Sequence, residues 1–284
     1  MSEELYALYD KTILTGYINY LIKNELGFIC TNPENFPKLK EEWDYPGLIS
    51  NAIIESDADS SHDFASILLE LEYLGCRFLE LRFYDLLTPC KLKELLELIS
   101  VSKLRSVVLL IRHDEHWTLT EYVSIADQNP RISKILVHGA GKSIQGFHSK
   151  LHIIEEEIID NSGCGVVSSS YFSCNPFLFM EAKLYNTCLN RKISIGVSGE
   201  IKNCPSMPSI YGNTKEMKLK EALSNSSFKK FWSINKDQVE ICKDCEFRYI
   251  CTDCRAFISN KDDIFSKPLK CSYNPYLGRW EDSK

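Results

Sequence analysis

The chain has 284 residues, 44% hydrophobic and 25% charged, the composition of an ordinary globular protein. A net charge of −6 argues against a nucleic-acid-binding protein, which carries a basic excess or patch. No apolar run reaches the roughly 18 residues of a membrane span, and the N-terminus lacks the apolar core of a signal peptide. We therefore expect a cytoplasmic protein that contacts neither nucleic acid nor membrane.

Residues 1–45 are predicted to form a small mixed N-terminal piece. Apolar residues at helical spacing predict a helix from residue 14 that ends at Gly27. A short strand is expected over residues 27–32, followed by a loop that Pro33 and Pro37 mark.

Residues 46–185 alternate between strand-like and helical patterns. Strands are predicted at 48–55, 76–85, 104–114, 132–140, 150–158 and 164–172. Helices are predicted at 62–75, 88–100 and 119–130. Strands rich in Val, Ile and Leu that alternate with helices of about a dozen residues indicate parallel β/α units. We expect an α/β fold with a partial (β/α) barrel; the alternative is a doubly wound open sheet.

The pattern changes near residue 185, where we place a domain boundary. Residues 191–204 read as two short strands around a Ser-Gly turn, a β-hairpin, and residues 214–234 as a polar helical connector. A cysteine cluster and a loop-rich tail complete a predicted C-terminal domain over residues 186–284.

The chain has twelve cysteines, which in a reducing compartment do not indicate a disulfide framework. Four of them stand among mostly apolar neighbours and are predicted to pack in the core: Cys30, Cys76, Cys90 and Cys164. Seven follow residue 187 and are the candidate metal ligands: Cys188, Cys204, Cys242, Cys245, Cys251, Cys254 and Cys271.

The spacing of these seven cysteines favours an iron–sulfur cluster over zinc. Cys188 and Cys204 bracket the hairpin as C-x10-G-x4-C, and residues 242–254 read C-x2-C-x5-C-x2-C. Thiolates select zinc or iron–sulfur clusters, but four-cysteine zinc sites usually separate their C-x2-C halves by many residues. The five-residue spacer is closer to cluster-binding sequences, and seven thiols exceed the need of one zinc ion or one redox pair. Zinc remains the alternative.

This arrangement closely resembles the SPASM domain, which follows the radical S-adenosylmethionine core in many peptide-maturing enzymes and holds auxiliary 4Fe–4S clusters. One departure is that two residues, instead of the common three, precede the sixth cysteine, Cys254. The resemblance implies a partial barrel of the radical-SAM type over residues 46–185, a SPASM domain over residues 186–284, and one or two 4Fe–4S clusters.

A wider resemblance joins segments 36–55, 185–195, 199–207, 242–257 and 267–280. Together they are similar to the SPASM-domain peptide maturases of the grasp-with-spasm system, which partner an ATP-grasp ligase in modifying a ribosomally made precursor peptide. By this resemblance residues 1–45 are a truncated leader-peptide-binding module.

The resemblance also implies how the ligands are shared. One cluster would be held by Cys242, Cys245, Cys251 and Cys271. The other would be held by Cys188, Cys204 and Cys254, with a fourth ligand unassigned and Cys174 the nearest spare thiol.

The radical S-adenosylmethionine motif CxxxCxxC is absent from the 284 residues. The loop after the first predicted strand, where that motif would lie, reads SDADSSHDF, and the second strand ends in LRFYD without a glycine pair. We therefore assign no S-adenosylmethionine-binding residue and no catalytic residue. Three hypotheses remain: a cluster protein that serves peptide maturation without radical chemistry, an enzyme acting through an open iron at Cys188, Cys204 and Cys254, and a zinc-stapled or cluster-stapled scaffold.

Other polar residues carry weaker signals. His113 and His116 follow the third strand and could form a second metal site or acid–base pair, although an exposed polar loop is favoured. The run VHGAGKS lacks phosphate-loop spacing, and its His138 is interpreted as structural. Arg248 and Arg255 could tune a cluster or pair with Asp244, Glu246 or Asp253.

Overall fold

The computed structural model describes residues 10–36 and 42–281, and the chain divides into two compact units, residues 1–42 and 43–284. The first unit contains helix α1, Lys11–Lys23, and a 3₁₀ turn, Pro33–Asn35. Asp10 caps α1 by accepting hydrogen bonds from the backbone N–H groups of Thr12 and Ile13. The predicted helix is confirmed, although it ends before Gly27, because Glu25 adopts a left-handed φ of 57°.

The strand predicted over residues 27–32 is wrong. Phe28 and Ile29 are exposed, and no neighbouring strand in residues 10–36 offers them backbone hydrogen bonds. Phe28 instead packs edge-on against Phe36, with ring centroids 5.4 Å apart. An apolar run without a pairing partner does not form a strand.

The second unit is built on an eight-stranded sheet in the order β5-β6-β4-β3-β2-β1-β7-β8. Its strands are β1 Asn51–Ser56, β2 Phe78–Phe83, β3 Ser106–Arg112, β4 Ile132–His138, β5 Ile144–His148, β6 Leu151–Ile153, β7 Lys192–Ile195 and β8 Ile201–Lys202. The six inner strands are parallel, and β5 and β8 pair antiparallel at the two edges. A small second sheet pairs β9, Tyr273–Asn274, with β10, Arg279–Trp280.

The strand order confirms the α/β class and the partial β/α arrangement. Strands β1 to β4 follow one another across the sheet in chain order, joined by helices α2 Phe64–Tyr73, α3 Pro89–Val101 and α4 Leu119–Gln128. Because parallel crossovers are right-handed, successive crossovers in one direction place these helices on one face of the sheet. A doubly wound sheet would need the direction to reverse within this run.

The helices form where caps and apolar stripes coincide. Asp63, Thr88 and Thr118 cap the three helices, and Thr118 forms a reciprocal capping box with Glu121. The buried stripes lie three or four residues apart and face the sheet: Ile67, Leu68 and Leu71; Leu92, Leu95 and Ile99; Tyr122, Ile125 and Ala126. The main core therefore lies between this helical layer and the sheet.

The strand predicted over residues 164–172 is also wrong. Gly165 adopts a left-handed φ of 80°, and Ser168 accepts a hydrogen bond from the backbone of Ser170, which starts a 3₁₀ turn at Ser169–Tyr171. Helix α5, Pro176–Leu184, follows this turn. The predicted helical connector over residues 214–234 contains α6, Leu219–Ser224, and a 3₁₀ turn, Ser226–Lys229.

The predicted β-hairpin of the C-terminal part is confirmed as β7 and β8, and it joins the main sheet. Strand β7 pairs in parallel with β1, with Ala52 opposite Ile193. The division into residues 1–45, 46–185 and 186–284 stays a prediction. Among the described residues, no helix is both long enough and apolar enough to cross a membrane.

Candidate metal centre

The hairpin brings its two flanking cysteines to one end. Gly199 turns the chain at a φ of 97°, and an added Cβ there would lie 2.7 Å from Asn213 Oδ1, so only glycine fits. The amide of Asn203 donates to the carbonyl oxygens of Leu189 and Lys192, at 3.1 and 2.8 Å. These bonds tie the residue after β8 to Leu189, before β7, and to Lys192, the first residue of β7. Cys188 and Cys204 are adjacent to those anchored residues.

Cys188 and Cys204 share their surroundings with Cys254 and Cys164, and we call these four thiols the first set. Burial raises the pKa of the Cys204 thiol to about 11, opposed by the Lys192 cation and reinforced by the thiolates of Cys188 and Cys164. Burial likewise raises the pKa of Cys254, and the same two thiolates add to the rise. Lys192 Nζ lies 3.4 Å from Cys188 Sγ. The thiolates of Cys188 and Cys164 therefore act electrostatically on both Cys204 and Cys254.

Cys242, Cys245, Cys251 and Cys271 form the second set. A 3₁₀ turn starts at Cys242, and the Cys245 N–H donates to its carbonyl at 3.0 Å, the tight turn expected of a C-x2-C pair. Burial raises the pKa of Cys242 to about 11, while Lys236 opposes this shift. The charge of Cys271 adds to the raised pKa values of Cys242, Cys245 and Cys251. The assignment of these four residues to one cluster stays a prediction.

A buried charge network lies beside the two sets. Asp253, between Cys251 and Cys254 in the chain, accepts hydrogen bonds from Arg255 Nη2 and Asn186 Nδ2, both at 2.7 Å. Lys236 Nζ lies 3.5 Å from the same carboxylate. The side chains of Asp253, Lys236 and Arg255 are at most 5% exposed. The network fixes the backbone that carries Cys251 and Cys254.

The two arginines considered from the sequence are both paired. Arg255 pairs with Asp253 at 2.7 Å. Arg248 pairs with Asp237 at 2.9 Å, a partner that the sequence did not suggest, and stacks on the Tyr249 ring.

The cysteines predicted to pack in the core differ in burial and in their contacts. Cys76 is fully buried, and its thiol donates to the Phe78 carbonyl. Cys90 is exposed, because α3 turns its apolar stripe inward and leaves this position facing outward. Cys164 is half-buried and belongs to the first set, so its predicted packing role is incomplete. Cys174, the spare thiol suggested from the sequence, is exposed. Cys30, in the first unit, is half-buried.

The ligand chemistry of the first and second sets fits an iron–sulfur cluster. Within residues 10–36 and 42–281, no three His, Cys, Asp or Glu side chains are gathered tightly enough to hold a single metal ion. A tetrahedral zinc site with Zn–S bonds of about 2.3 Å would place its sulfurs about 3.8 Å apart. Each set offers thiols alone, the ligands that four-iron clusters use, and a cubane holds its cysteine sulfurs farther apart than one ion does.

The polar residues after β3 lie in an exposed loop. His116 Nδ1 is 2.8 Å from Asp114 Oδ1, and the hydrogen bond and charge of that carboxylate raise the pKa of His116. His138, by contrast, is buried, with Nε2 near the Phe83 carbonyl and Nδ1 accepting from the Ile158 N–H. The hydrogen bonds of His138 explain its position without a ligand.

The loop after β1, where a radical cluster motif would lie, forms a turn of its own. Ser60 Oγ accepts from the Asp57 N–H at 2.9 Å and lies within hydrogen-bond reach of Asp57 Oδ1 and the Val197 carbonyl. Next to this turn is a cavity of about 710 Å³, bounded by the ends of β1 and β2 and by α3. Its lining combines apolar side chains with Asp57, His62 and Asp85.

Comparison with known protein families supports iron–sulfur cluster binding for part of the chain. The model of the SPASM family, an iron–sulfur cluster-binding domain, matches residues 187–246. No curated protein and no solved structure matches the chain. The matched segment contains four of the candidate ligands: Cys188, Cys204, Cys242 and Cys245. The SPASM part of the resemblance is therefore confirmed, and this stretch of the chain is similar to an iron–sulfur cluster-binding domain.

Proposed function

We propose that the protein holds two 4Fe–4S clusters and serves, without radical S-adenosylmethionine chemistry of its own, in the maturation of a ribosomally made peptide beside an ATP-grasp ligase. The observation that carries the cluster assignment is the match of residues 187–246 to the SPASM family, an iron–sulfur cluster-binding domain.

The residues of the second set supply four thiolates for one cluster. Cys188, Cys204 and Cys254 of the first set supply three for the other. A bound cluster would supply one-electron transfer or a rigid cross-link between chain segments. The chain's own contribution is electrostatic: Lys192 and Lys236 each place a cation beside one thiol set, which offsets the negative charge of clustered thiolates.

Metal analysis tests the cluster assignment. Protein purified without oxygen should contain about eight irons and about eight acid-labile sulfides per chain if two four-iron clusters are bound. Stoichiometric zinc without sulfide would contradict the assignment and favour the zinc-stapled scaffold.

The sequence of the loop after β1 supports the absence of radical chemistry in this chain. The thiolates that would hold a radical cluster are missing from SDADSSHDF, and Asp57 and Ser60 close this loop as a turn. We expect no 5′-deoxyadenosine when the reduced protein is incubated with S-adenosylmethionine. Its formation at a rate above that of a protein-free control would contradict this part of the proposal.

The peptide role is supported by the wider resemblance and by the cavity beside β1 and β2. Its volume of about 710 Å³ and its mixed lining suit a few peptide side chains. In open β/α sheets, ligands bind at the carboxyl ends of the strands, where this cavity lies.

Calorimetry with the precursor peptide and the ATP-grasp ligase tests this role. Leu86 lines the cavity and is 58% exposed, so Leu86→Asp should weaken peptide binding about tenfold by placing a charge there. Leu69→Asp, on the outer side of α2 and 69% exposed, is the matched control and should bind normally. Equal binding by both variants would exclude the cavity, and binding of neither partner would contradict the maturation role.

A further inference from the structure

The segment that carries Cys164 is anchored at both ends. Asn161 donates from Nδ2 to the buried carboxylate of Glu55 at 2.7 Å, at the carboxyl end of β1. The Cys164 N–H donates to the Asn161 carbonyl at 3.0 Å, forming a tight turn. Lys270 Nζ donates to the carbonyl oxygens of Cys164, at 2.8 Å, and Ser162. Cys164 is thus held between the sheet and the cysteine-rich tail.

The same segment touches the first set directly. Gly165 has a φ of 80°, and a Cβ added there would lie 2.9 Å from Cys254 Sγ and 3.0 Å from the Phe257 ring. No side chain larger than hydrogen fits between this turn and Cys254. The backbone beside Cys164 therefore lies against the thiol of Cys254.

The other spare thiols lie elsewhere. Cys174 is exposed, and within residues 42–281 no thiol interaction involves it. The Cys76 thiol donates to a backbone carbonyl, and the Cys90 thiol lies 3.5 Å from the Glu94 carboxylate.

We infer that Cys164 is the fourth protein ligand of the first set, so that Cys164, Cys188, Cys204 and Cys254 close this centre with four thiolates. This inference rests on the proposed cluster-binding function. A four-iron cluster bound by four protein thiolates has no iron left for a substrate or solvent ligand. The centre would then serve electron transfer or structure, and the hypothesis of an enzyme acting through an open iron at this site is disfavoured.

Replacement of Cys164 by alanine tests the ligand. The full-length protein, purified without oxygen, is assayed for iron and sulfide and by electron paramagnetic resonance. C164A should lose at least one iron per chain and show either a three-iron signal or loss of one cluster signal. C174A is the matched control and should retain the wild-type iron content and spectrum. Wild-type iron content and spectrum in C164A, or iron loss in C174A alone, would overturn the assignment.

A second measurement needs no variant, so it decides the matter even if C164A does not fold. Cyanide is added to the reduced wild-type protein, because it binds an iron that lacks a protein ligand and changes the resonance spectrum. An unchanged spectrum is the expected result, and a shifted spectrum would overturn closure by Cys164. Wild-type protein with no iron or sulfide would contradict the proposed function itself. Iron-loaded protein that fails either ligand test contradicts only the role of Cys164.

Discussion

The carboxylate of Asp253 neutralises two buried cations, so its replacement is the sharpest test of what stabilises the cysteine-rich part. Asp253→Asn keeps the shape of the side chain and removes its charge. Arg255, 0% exposed, would then be buried without an ionic partner, and Lys236, 5% exposed, would keep only the thiolates of the second set beside it. Breaking a buried ion pair from one side costs about 3–5 kcal/mol, and that loss of unfolding free energy is expected here.

Urea unfolding of the iron-loaded protein without oxygen, followed by circular dichroism, measures this loss. With a denaturant slope of about 3 kcal/mol per M, the midpoint should fall by at least about 1 M. Asp237→Asn is the matched control, because its partner Arg248 is 29% exposed and Asp237 is 42% exposed. A pair exposed to this degree contributes about 0–1 kcal/mol.

The double variant Lys236→Met, Asp253→Asn separates charge from shape. Removing Lys236, a buried cation that has lost its carboxylate, should recover part of the lost stability, because a buried charge with too little counter-charge is the source of the cost. Equal midpoints for Asp253→Asn and Asp237→Asn would refute the reasoning. So would a double variant less stable than Asp253→Asn alone.

Three further results are expected. Lys192→Gln should make the cluster potential more negative by on the order of 100 mV, because a charge about 6 Å away contributes about 3 kcal/mol at an effective dielectric constant of about 20. Lys103→Gln, whose ammonium group lies 3.9 Å from Glu72 and whose side chain is 70% exposed, should leave the potential measured by redox titration unchanged. Leu109→Ala, fully buried on a central strand, should cost about 2–5 kcal/mol in urea unfolding, and a loss below about 1 kcal/mol would contradict the packing. Burial lowers the pKa of His138 below its ordinary 6.5, so the unfolded chain binds more protons and stability should fall below about pH 6.5. The fall of the urea midpoint below about pH 6.5 should be smaller in His138→Gln than in the wild-type protein. The same pH profile in both proteins would refute the role of His138 in this fall.

The strands predicted correctly from the sequence are those that a local run of apolar residues marks. The inner parallel strands are buried on both faces, so their residues are almost continuously apolar, as in VVLLI within β3. The edge strand β5 is mostly exposed and carries no such run, so it was not predicted. Residues 164–172 contain two valines, but Gly165 and Ser168 turn the chain, and no described strand pairs with this segment.

The C-x2-C pairs and the hairpin cysteines were predictable because each pair lies within one turn or hairpin, where spacing alone sets proximity. By itself, then, the sequence determined the parallel β/α pattern and the soft-metal character of the C-terminal part. The tertiary structure decided which thiols gather. Cys164 lies beside Cys254 because Asn161 and Lys270 anchor its turn from distant parts of the chain. Likewise, Asp253 meets Lys236 only once the loops between them have folded. Contacts of this kind join residues that are far apart in the chain, and neither spacing nor periodicity records them.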